Sequence, residues 1–340
     1  MYIRTSLLLF GAAFSTFGTR ASADIALTVG PSAQYRTISA AVAAADADTN
    51  PNNYYVINVE PGTYTNDFPE VTRPMTIQVN PLKTGRQVLL QATVPLPNQK
   101  GIILTFASLR VNGLTFTGAT IANSLGGNGA GIRDQNTASP ASLTVENSIF
   151  IGNQEGILTG YDAGETITIT NSQFKNNGNP DPNYFQHALY VNNAGSLTVS
   201  DSLFCGQLIG HNIKSRALTT HVVNNRIYDG QADQADGCRA GSSSFAVDIP
   251  QGGVALISGN RIIQGTASPN FKMVAYGEEG LSYSANSLML TGNTFINYAP
   301  NSTGVYDPTP NCIVPVQLSK DNIFQGVATP VSPASCATYQ

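Results

Sequence analysis

One short phrase recurs along this chain and constrains its fold more than any other feature of the sequence. Each copy begins with an apolar residue, carries Asn, Asp or Gly near its middle and ends in Phe or Ile. The copies are "VNGLTF" ending at Phe116, "VENSIF" at Phe150, "ITNSQF" at Phe174, "VSDSLF" at Phe204, "VVNNRI" at Ile227, "ISGNRI" at Ile262, "LTGNTF" at Phe295 and "LSKDNIF" at Phe324. Successive copies end 34, 24, 30, 23, 35, 33 and 29 residues apart. This spacing predicts one structural unit per copy, each stacked on its neighbours.

A minimum spacing of 23 residues with variable additions favours a coil of three short strands, in which the additions are loops at the corners. The Asn or Asp in the phrase suits a bend, because these residues tolerate the left-handed conformation and bond to nearby backbone. The alternatives are an antiparallel sandwich and a propeller, but a propeller blade needs about 40 residues or more. We therefore predict an all-β chain folded as a single-stranded right-handed parallel β-helix.

A short helix is predicted at the start of this β-helix. The segment "TISAAVAAADA", from Thr37 to Ala47, has helix-forming composition and apolar spacing, with Thr37 as its N-cap. A helix here would cover the open end of the first coil and protect its exposed strand edges. The segments "YYVINVEPGTY" and "MTIQV" follow and are predicted to form the first strands.

The opening "YRTISAAVAAA", followed by "VEPGTY", resembles the start of the pectin-lyase-like superfamily. That superfamily includes pectate lyases, pectin methylesterases, polygalacturonases, alginate lyases and alginate epimerases. The resemblance extends over the chain at the level of the fold, while its motifs end near residue 65. It implies an exported carbohydrate-active protein without specifying the reaction.

Residues 1–23 have the pattern of a secretory signal peptide. They comprise the positively charged "MYIR", the apolar run "SLLLFGAAFSTFG" and the small-residue site "ASA" ending at Ala23. The apolar run is too short, and too broken by Gly, Ser and Thr, for a membrane span of about 20 residues. We therefore expect a secreted or periplasmic protein with no membrane partner, whose β-helix domain covers residues 24–340.

The cysteine content and the net charge indicate which cross-links and which partners to expect. Four cysteines in an exported protein predict two disulfides, and the pairs Cys205–Cys238 and Cys312–Cys336 each close a short local loop. No Cys-x-x-Cys spacing is present to indicate a zinc site. A net charge of −4 argues against a nucleic-acid partner. A hydrophobic content of 41% suits a monomer with a core of stacked side chains.

Alignment of the coils on the repeated phrase superimposes three segments: "HALYVN" (187–192), "HNIKSR" (211–216) and "FAVDIP" (245–250). Apolar columns such as Leu189 and Ile213 are expected to face the interior, and strand alternation then turns their neighbours outward. Because neighbouring coils are about 4.8 Å apart, the outward residues form one solvent-facing patch of the size of a sugar. The predicted patch comprises Tyr190, Lys214, Asp248, Asn192 and Arg216.

Two histidines share a column beside this patch. His187 and His211 face inward by strict alternation, which would make them core or corner residues; at a bend their rings would instead reach the patch. The sequence leaves both alternatives open. The next coil contains "MVAYGEEG", whose Tyr276, Glu278 and Glu279 are expected to flank the patch and bind substrate.

A long acidic loop, "DGQADQADG" (229–237), is a possible calcium site because carboxylates are typical calcium ligands. It lacks the ligand spacing of a known calcium loop, and an ordinary solvated loop is the alternative. No other cofactor is predicted.

The patch has the groups that β-elimination of a uronate-containing glycan requires. The reaction needs a cation against the uronate carboxylate, a base for the proton next to it and an acid for the leaving oxygen. Arg216 suits the first role, because a guanidinium grips a carboxylate in bidentate fashion. Lys214 or His211 suits the base, and Tyr190 or His187 the acid. Asp248 would orient or tune Lys214.

Other reactions and a non-catalytic role remain open. Hydrolysis needs two carboxyl groups about 5 to 9.5 Å apart, which Asp248 with Glu278 or Glu279 would supply. Epimerisation starts with the same proton abstraction as elimination. A surface β-helix protein would bind an acidic polysaccharide without turnover. No Asp-Asp pair, "GxxDFIFG", "vWiDH", "RxPxxR" or "NGxE" pattern indicates one of the named families.

Overall fold

The structure is a computed structural model of the 340-residue chain and describes residues 24–83, 87–136, 140–179 and 185–340. The predicted signal peptide, residues 1–23, lies outside the described residues. The predicted parallel β-helix is confirmed: the strands form three parallel sheets, which we call sheets A, B and C, and each coil contributes a strand to each sheet in turn.

The strands are short and repeat in the order A, B, C. Sheet A contains Asp24–Val29, Tyr54–Val59, Met75–Val79, Leu109–Asn112, Ser142–Glu146, Asp162–Thr170, Ala194–Ser200, Thr219–Val223, Val254–Ser258, Ser287–Thr291, Val316–Leu318 and Ala337–Tyr339. Sheet B contains Gly62–Thr65, Val88–Gln91, Leu114–Thr117, Ile149–Ile151, Gln173–Lys175, Leu203–Cys205, Arg226–Asp229, Arg261–Gln264, Thr294–Asn297 and Ile323–Gln325. Sheet C contains Glu70–Val71, Gly101–Thr105, Ala130–Asp134, Glu155–Thr159, Leu189–Val191, His211–Ser215, Phe245–Ile249, Lys272–Tyr276, Thr303–Tyr306 and Thr329–Ser332.

The repeated phrase forms the bend between sheets A and B. Asn147, Asn171, Asp201 and Asn224 lie at this bend with φ between 48° and 57°, in the left-handed region that Asn and Asp tolerate. The residue that ends each phrase then stacks in the core. The rings of Phe116, Phe150, Phe174 and Phe204 follow one another at 4.8, 4.8 and 4.6 Å. The phrase therefore recurs because every coil needs both the bend and the ladder residue.

The N-terminal helix covers the first coil as predicted. It spans Ile38–Asp46, and the Thr37 hydroxyl caps it by accepting a hydrogen bond from the Ala40 N–H at 3.2 Å. The prediction of the first strands was incomplete, because Asp24–Val29 precedes the helix and pairs in parallel with Tyr54–Val59. Three short 3₁₀ helices occur in the described residues, at Asn123–Leu125, Pro310–Cys312 and Ala334–Cys336.

Both predicted disulfides are confirmed. Cys205 pairs with Cys238, and Cys312 with Cys336. The first links a sheet B strand to Cys238, which directly follows the acidic loop 229–237, and the second joins two of the 3₁₀ helices near the C-terminus. Among the described residues, no helix has the length and apolar character needed to cross a membrane.

Candidate functional site

The site lies on the outer face of sheet C, where three successive coils bring their side chains into register. Tyr190 pairs with Lys214, and Lys214 pairs with Asp248, as the alignment of coils predicted. The inward columns are also confirmed, because Leu189 and Ile213 are fully buried in the core. Neighbouring coils are about 4.8 Å apart, so consecutive members of a column lie within reach of one ligand.

A break in the strand alternation brings both histidines to the same face. Ala188 and Leu189 are consecutive residues, yet both pack in the core, so the residue before Ala188 points outward. The His187 ring accordingly meets the Tyr190 ring edge-on at 5.1 Å and stacks on the His211 ring at 4.7 Å. Of the two alternatives left open by the sequence, the bend is the one present in the fold.

Lys214, Arg216 and Glu279 form a cluster of opposite charges over this face. The Glu279 carboxylate accepts hydrogen bonds from Lys214 Nζ at 3.1 Å and from Arg216 Nη2 at 2.6 and 2.8 Å. Burial alone would raise the pKa of Glu279, but these bonds outweigh it and the pKa lies below its ordinary value. The two cations also lie over the Tyr190 ring, at 5.6 Å for Lys214 Nζ and 5.2 Å for Arg216 Cζ. The Arg216 fork is therefore already arranged to hold a carboxylate beside Lys214 and Tyr190.

Asp248 is fully buried beneath this cluster, which corrects the prediction that it is solvent-facing. Its Oδ2 lies 3.4 Å from His211 Nε2 and 3.6 Å from Lys214 Nζ. Burial raises the pKa of Asp248 to about 8, against the opposing effect of the Lys214 charge. Within the part of the chain that the structure describes, neither carboxylate oxygen has a hydrogen-bond partner. Asp248 thus lies where it can orient Lys214 and His211, but not where a polysaccharide can reach it.

A loop that returns over sheet C causes this burial. After the strand Lys272–Tyr276, the Glu279 N–H donates to the Pro250 carbonyl at 2.9 Å. Further along, the Tyr283 hydroxyl donates to Asn193 Oδ1 at 2.6 Å and also contacts the Arg216 carbonyl. These contacts hold the loop against the outer face of sheet C and place the Glu279 carboxylate beside Lys214 and Arg216.

Both histidines are neutral at neutral pH. Burial, followed by the nearby positive charges, lowers the pKa of His187 well below its ordinary value. Burial also lowers the pKa of His211 to about 3, with a further contribution from Lys214. His187 Nδ1 accepts the His211 backbone N–H at 3.0 Å, which assigns the ring proton to Nε2. Neutral His187 is a poor proton donor, and His211 with so low a pKa is a weak base.

The remaining predicted residues divide between the site and the core. Glu278 lies near Asp248, and Asn192 follows Tyr190 at the edge of the patch, where its N–H donates to Thr159 Oγ1 at 2.9 Å. The prediction for Tyr276 was wrong. This residue pairs in register with Ile249, is fully buried, and its hydroxyl donates to the Gly253 carbonyl at 2.6 Å. Because Tyr276 is in register with the core residue Ile249, its side chain points into the β-helix and cannot contact a substrate on the outer face.

One group of side chains in the described residues has the geometry to hold a metal ion. His211, Asp248 and Glu278 each offer a ligand atom, and these atoms lie within 4.8 Å of one another. The Lys214 ammonium already lies 3.6 Å from Asp248 and supplies positive charge at that point. The acidic loop 229–237 is a different case, because Asp236 pairs with Arg226 at 2.8 Å and Asp233 caps a turn within the loop. Its carboxylates are therefore engaged by protein groups.

Three residues near the site were not predicted from the sequence. Arg133 and Glu155 lie on the outer face of sheet C in earlier coils, in the columns of Tyr190 and His187 respectively. Tyr283 lies in the loop after the strand Lys272–Tyr276. Extending the coil alignment back through "AGIRD" and "EGILT" would have found the first two, whereas nothing in the sequence indicates the path of the loop.

No protein-family model matches this chain, and no curated protein matches it in sequence. Among solved structures it is similar to an alginate lyase from Paenibacillus sp. str. FPU-7, with a TM-score of 0.56 and 14% sequence identity. The likeness covers 93% of this chain and 97% of that chain. Together with the three stacked parallel sheets, this full-length likeness identifies the fold of the chain as a right-handed parallel β-helix.

Proposed function

We propose that the protein is an exported polysaccharide lyase that cleaves a uronate-containing glycan by β-elimination. The observation that carries the proposal is the meeting of Tyr190, Lys214 and Arg216 on adjacent coils, with the Arg216 fork already holding a carboxylate. The apolar N-terminal run and the two disulfides support export, because disulfides persist in oxidising compartments.

Arg216 is the group that makes the uronate proton removable. The proton on the carbon next to the carboxylate is weakly acidic, since its loss places further negative charge on an anion. A guanidinium bound to that carboxylate in bidentate fashion stabilises the charge as it develops. The Glu279 carboxylate now occupies this position, and in the proposed complex the substrate carboxylate displaces it from Arg216.

Lys214 is the proposed base once its ammonium has released a proton to solvent, and Tyr190 is the proposed acid. Lys214 takes the proton from C5 of the uronate, and the electron pair forms a C4=C5 double bond as the C4–O bond breaks. The Tyr190 hydroxyl gives its proton to the leaving oxygen, and the cations beside its ring stabilise the phenolate that results. Because the buried histidines are neutral, these two roles fall to the lysine and the tyrosine.

Asp248 is proposed as a positioning residue. It lies 3.6 Å from Lys214 Nζ and has no exposed surface, so it acts on the substrate only through its neighbours. The same burial disfavours the hydrolase alternative, because a catalytic carboxyl group must reach the scissile bond from one side. His187 and His211 are proposed to shape the wall beside the base and acid.

The structural similarity to an alginate lyase supports the proposal at the level of the fold and makes alginate, a polymer of uronates, the first substrate to test. Ultraviolet absorbance during incubation with alginate and other acidic polysaccharides, with and without calcium, detects the unsaturated uronyl product. We expect a rise with the wild type, none with Lys214→Ala or Arg216→Ala, and an unchanged rise with Lys83→Ala. Lys83 is an exposed lysine paired with Glu60 outside sheet C, and it controls for loss of one positive charge.

The other functions give different results in the same samples. New reducing ends without absorbance would indicate a hydrolase, and a changed C5 configuration in uncut chains would indicate an epimerase. Binding without any chemical change would indicate a glycan-binding protein. Any of these outcomes, or wild-type activity retained in Lys214→Ala, would refute the lyase proposal.

A further inference from the structure

Arg133 lies on the same outer face of sheet C as the proposed catalytic residues. It is in register with Leu158 in the next coil, which is in register with Tyr190 and then with Lys214. Three coil intervals of about 4.8 Å separate Arg133 from Lys214 along the β-helix axis. Each interval is close to the length of one sugar residue in an extended glycan chain.

The guanidinium of Arg133 lacks a partner. Its Nε and Nη1 atoms are buried, and among the described residues neither has a hydrogen-bond partner. No acidic oxygen of the described chain lies within 4 Å of its guanidinium nitrogens, in contrast to Arg110 and Arg216. Burial lowers the pKa of Arg133, which reflects the cost of keeping this charge out of water. A half-buried guanidinium with two buried N–H groups and neither an ion pair nor hydrogen bonds is rare and requires an explanation.

Glu155, the nearest candidate for a counterion, does not neutralise Arg133. It is buried in the next coil, and its Oε2 accepts the His187 backbone N–H at 3.0 Å. Burial raises the pKa of Glu155 well above its ordinary value, despite the opposing effects of that bond and of the charges on Arg133 and Lys214. Burial thus favours the neutral form of Glu155, and among the described residues Arg133 and Glu155 form no ion pair within 4 Å.

We propose that Arg133 is a second carboxylate-binding subsite, which binds a uronate about three residues from the one held at Arg216 and Lys214. This inference rests on the proposed function of the site. The glycan then lies along the β-helix axis over sheet C, and Arg133 determines specificity for chains that carry several uronates. A neutral sugar at that position would leave the half-buried guanidinium without a counterion.

The test compares Arg133→Met with Arg261→Met on size-defined oligouronates from alginate, from dimers to octamers. Methionine keeps an apolar stem while removing the charge, and Arg261 is an exposed arginine on sheet B that matches the loss of charge. We expect Arg133→Met to raise KM about tenfold for chains of about six residues or more, the equivalent of one strong charge-assisted contact. The kcat of these chains, and kcat/KM of the shortest chains that are cleaved, should not change.

Calorimetric binding of the same oligouronates to Lys214→Ala, with and without Arg133→Met, separates this inference from the proposed function. If the wild type binds without cleavage, the lyase proposal fails, while the length-dependent loss of affinity still tests Arg133. Equal KM values and equal affinities for Arg133→Met and Arg261→Met at every chain length would overturn the inference. The absence of any oligouronate binding would also overturn it. Thermal unfolding provides the folding control, because removal of an unpaired buried charge should leave Tm unchanged or higher. A lower Tm would assign Arg133 a structural role.

Discussion

Replacement of Glu279 by Gln tests whether its carboxylate holds the place of the substrate carboxylate. The side chain accepts hydrogen bonds from Lys214 and Arg216 at distances between 2.6 and 3.2 Å. A uronate that binds Arg216 must break these contacts first. Glutamine retains an oxygen of similar position but carries no charge, so it should compete much less for the two cations. We therefore expect tighter substrate binding in Glu279→Gln.

The magnitude follows from the exposure of the pair. Hydrogen bonds to charged groups contribute about 1.5–3 kcal/mol when they are buried, and exposed ion pairs contribute about 0.2–1 kcal/mol. The Glu279 side chain is 36% exposed and that of Arg216 is 15% exposed, so the pair lies between these limits. A value of about 1.4 kcal/mol corresponds to a tenfold change in an equilibrium constant. We expect KM to fall about tenfold, with kcat changed less than about twofold.

Initial rates of absorbance increase over a range of alginate concentrations measure both constants. Glu146→Gln is the matched control, because Glu146 accepts from Arg110 at 2.6 Å on sheet A, away from the site. Its kinetic constants should equal those of the wild type. A large fall in kcat for Glu279→Gln, comparable to that of Arg216→Ala, would refute the reasoning. Glu279 would then serve to hold the cations in their active positions.

Three further predictions concern stability. The Arg73 guanidinium donates to four backbone carbonyls at the end of the N-terminal helix and in the loop after it, residues 45–53, at 2.7 to 2.9 Å. Arg73→Ala should therefore lower the free energy of unfolding by about 3 kcal/mol in urea titrations. Arg110→Ala, which removes a surface ion pair, should lower the free energy of unfolding by less than about 1 kcal/mol. Equal losses of stability in Arg73→Ala and Arg110→Ala would contradict this account. Burial raises the pKa of Asp229 from 3.8 to about 7, so its contribution to stability should decline as pH rises through that range, by on the order of 4 kcal/mol at most. The free energy of unfolding of Asp229→Asn should therefore change less between about pH 5 and pH 8 than that of the wild type. The same pH dependence in both proteins would refute the raised pKa of Asp229. Phe174→Ala, in the middle of the phenylalanine ladder, should cost about 3–5 kcal/mol, whereas a loss below about 1 kcal/mol would mean that the ladder relaxes around the cavity.

The register of the site could be predicted from the sequence because every coil repeats the same physical requirements. A left-handed bend at Asn171 or Asp201 and a stacked ring at Phe174 or Phe204 fix where each coil begins. Once the coils are aligned, the period of two along a strand predicts which neighbours face outward. This was sufficient to predict that Lys214 lies between residues 190 and 248 of the adjacent coils.

The same period failed where the strands depart from regular geometry. At the start of the sheet C strands two consecutive residues face inward, so strict alternation gives the wrong phase for His187 and His211. The loop before the strand Lys272–Tyr276 differs in length from those of the neighbouring coils, so Tyr276 was expected to flank the patch, whereas its register with Ile249 makes it a core residue. The burial of Asp248 depends on a loop of another coil, and no local pattern in the sequence encodes that contact.

The energetic cost of the site is the strongest argument that it is functional. Only 11% of the residues are charged, and stacked apolar ladders hold the fold together. Yet sheet C buries two histidines, Asp248 and Glu155 on one face, together with most of Lys214. Burial of ionisable groups costs free energy, whereas burial of well-packed apolar side chains does not. Such a cluster therefore adds little to the stability of the fold. Clusters of this kind with shifted pKa values are typical of catalytic and binding sites, where the protein expends stability on fixed charges directed at a ligand.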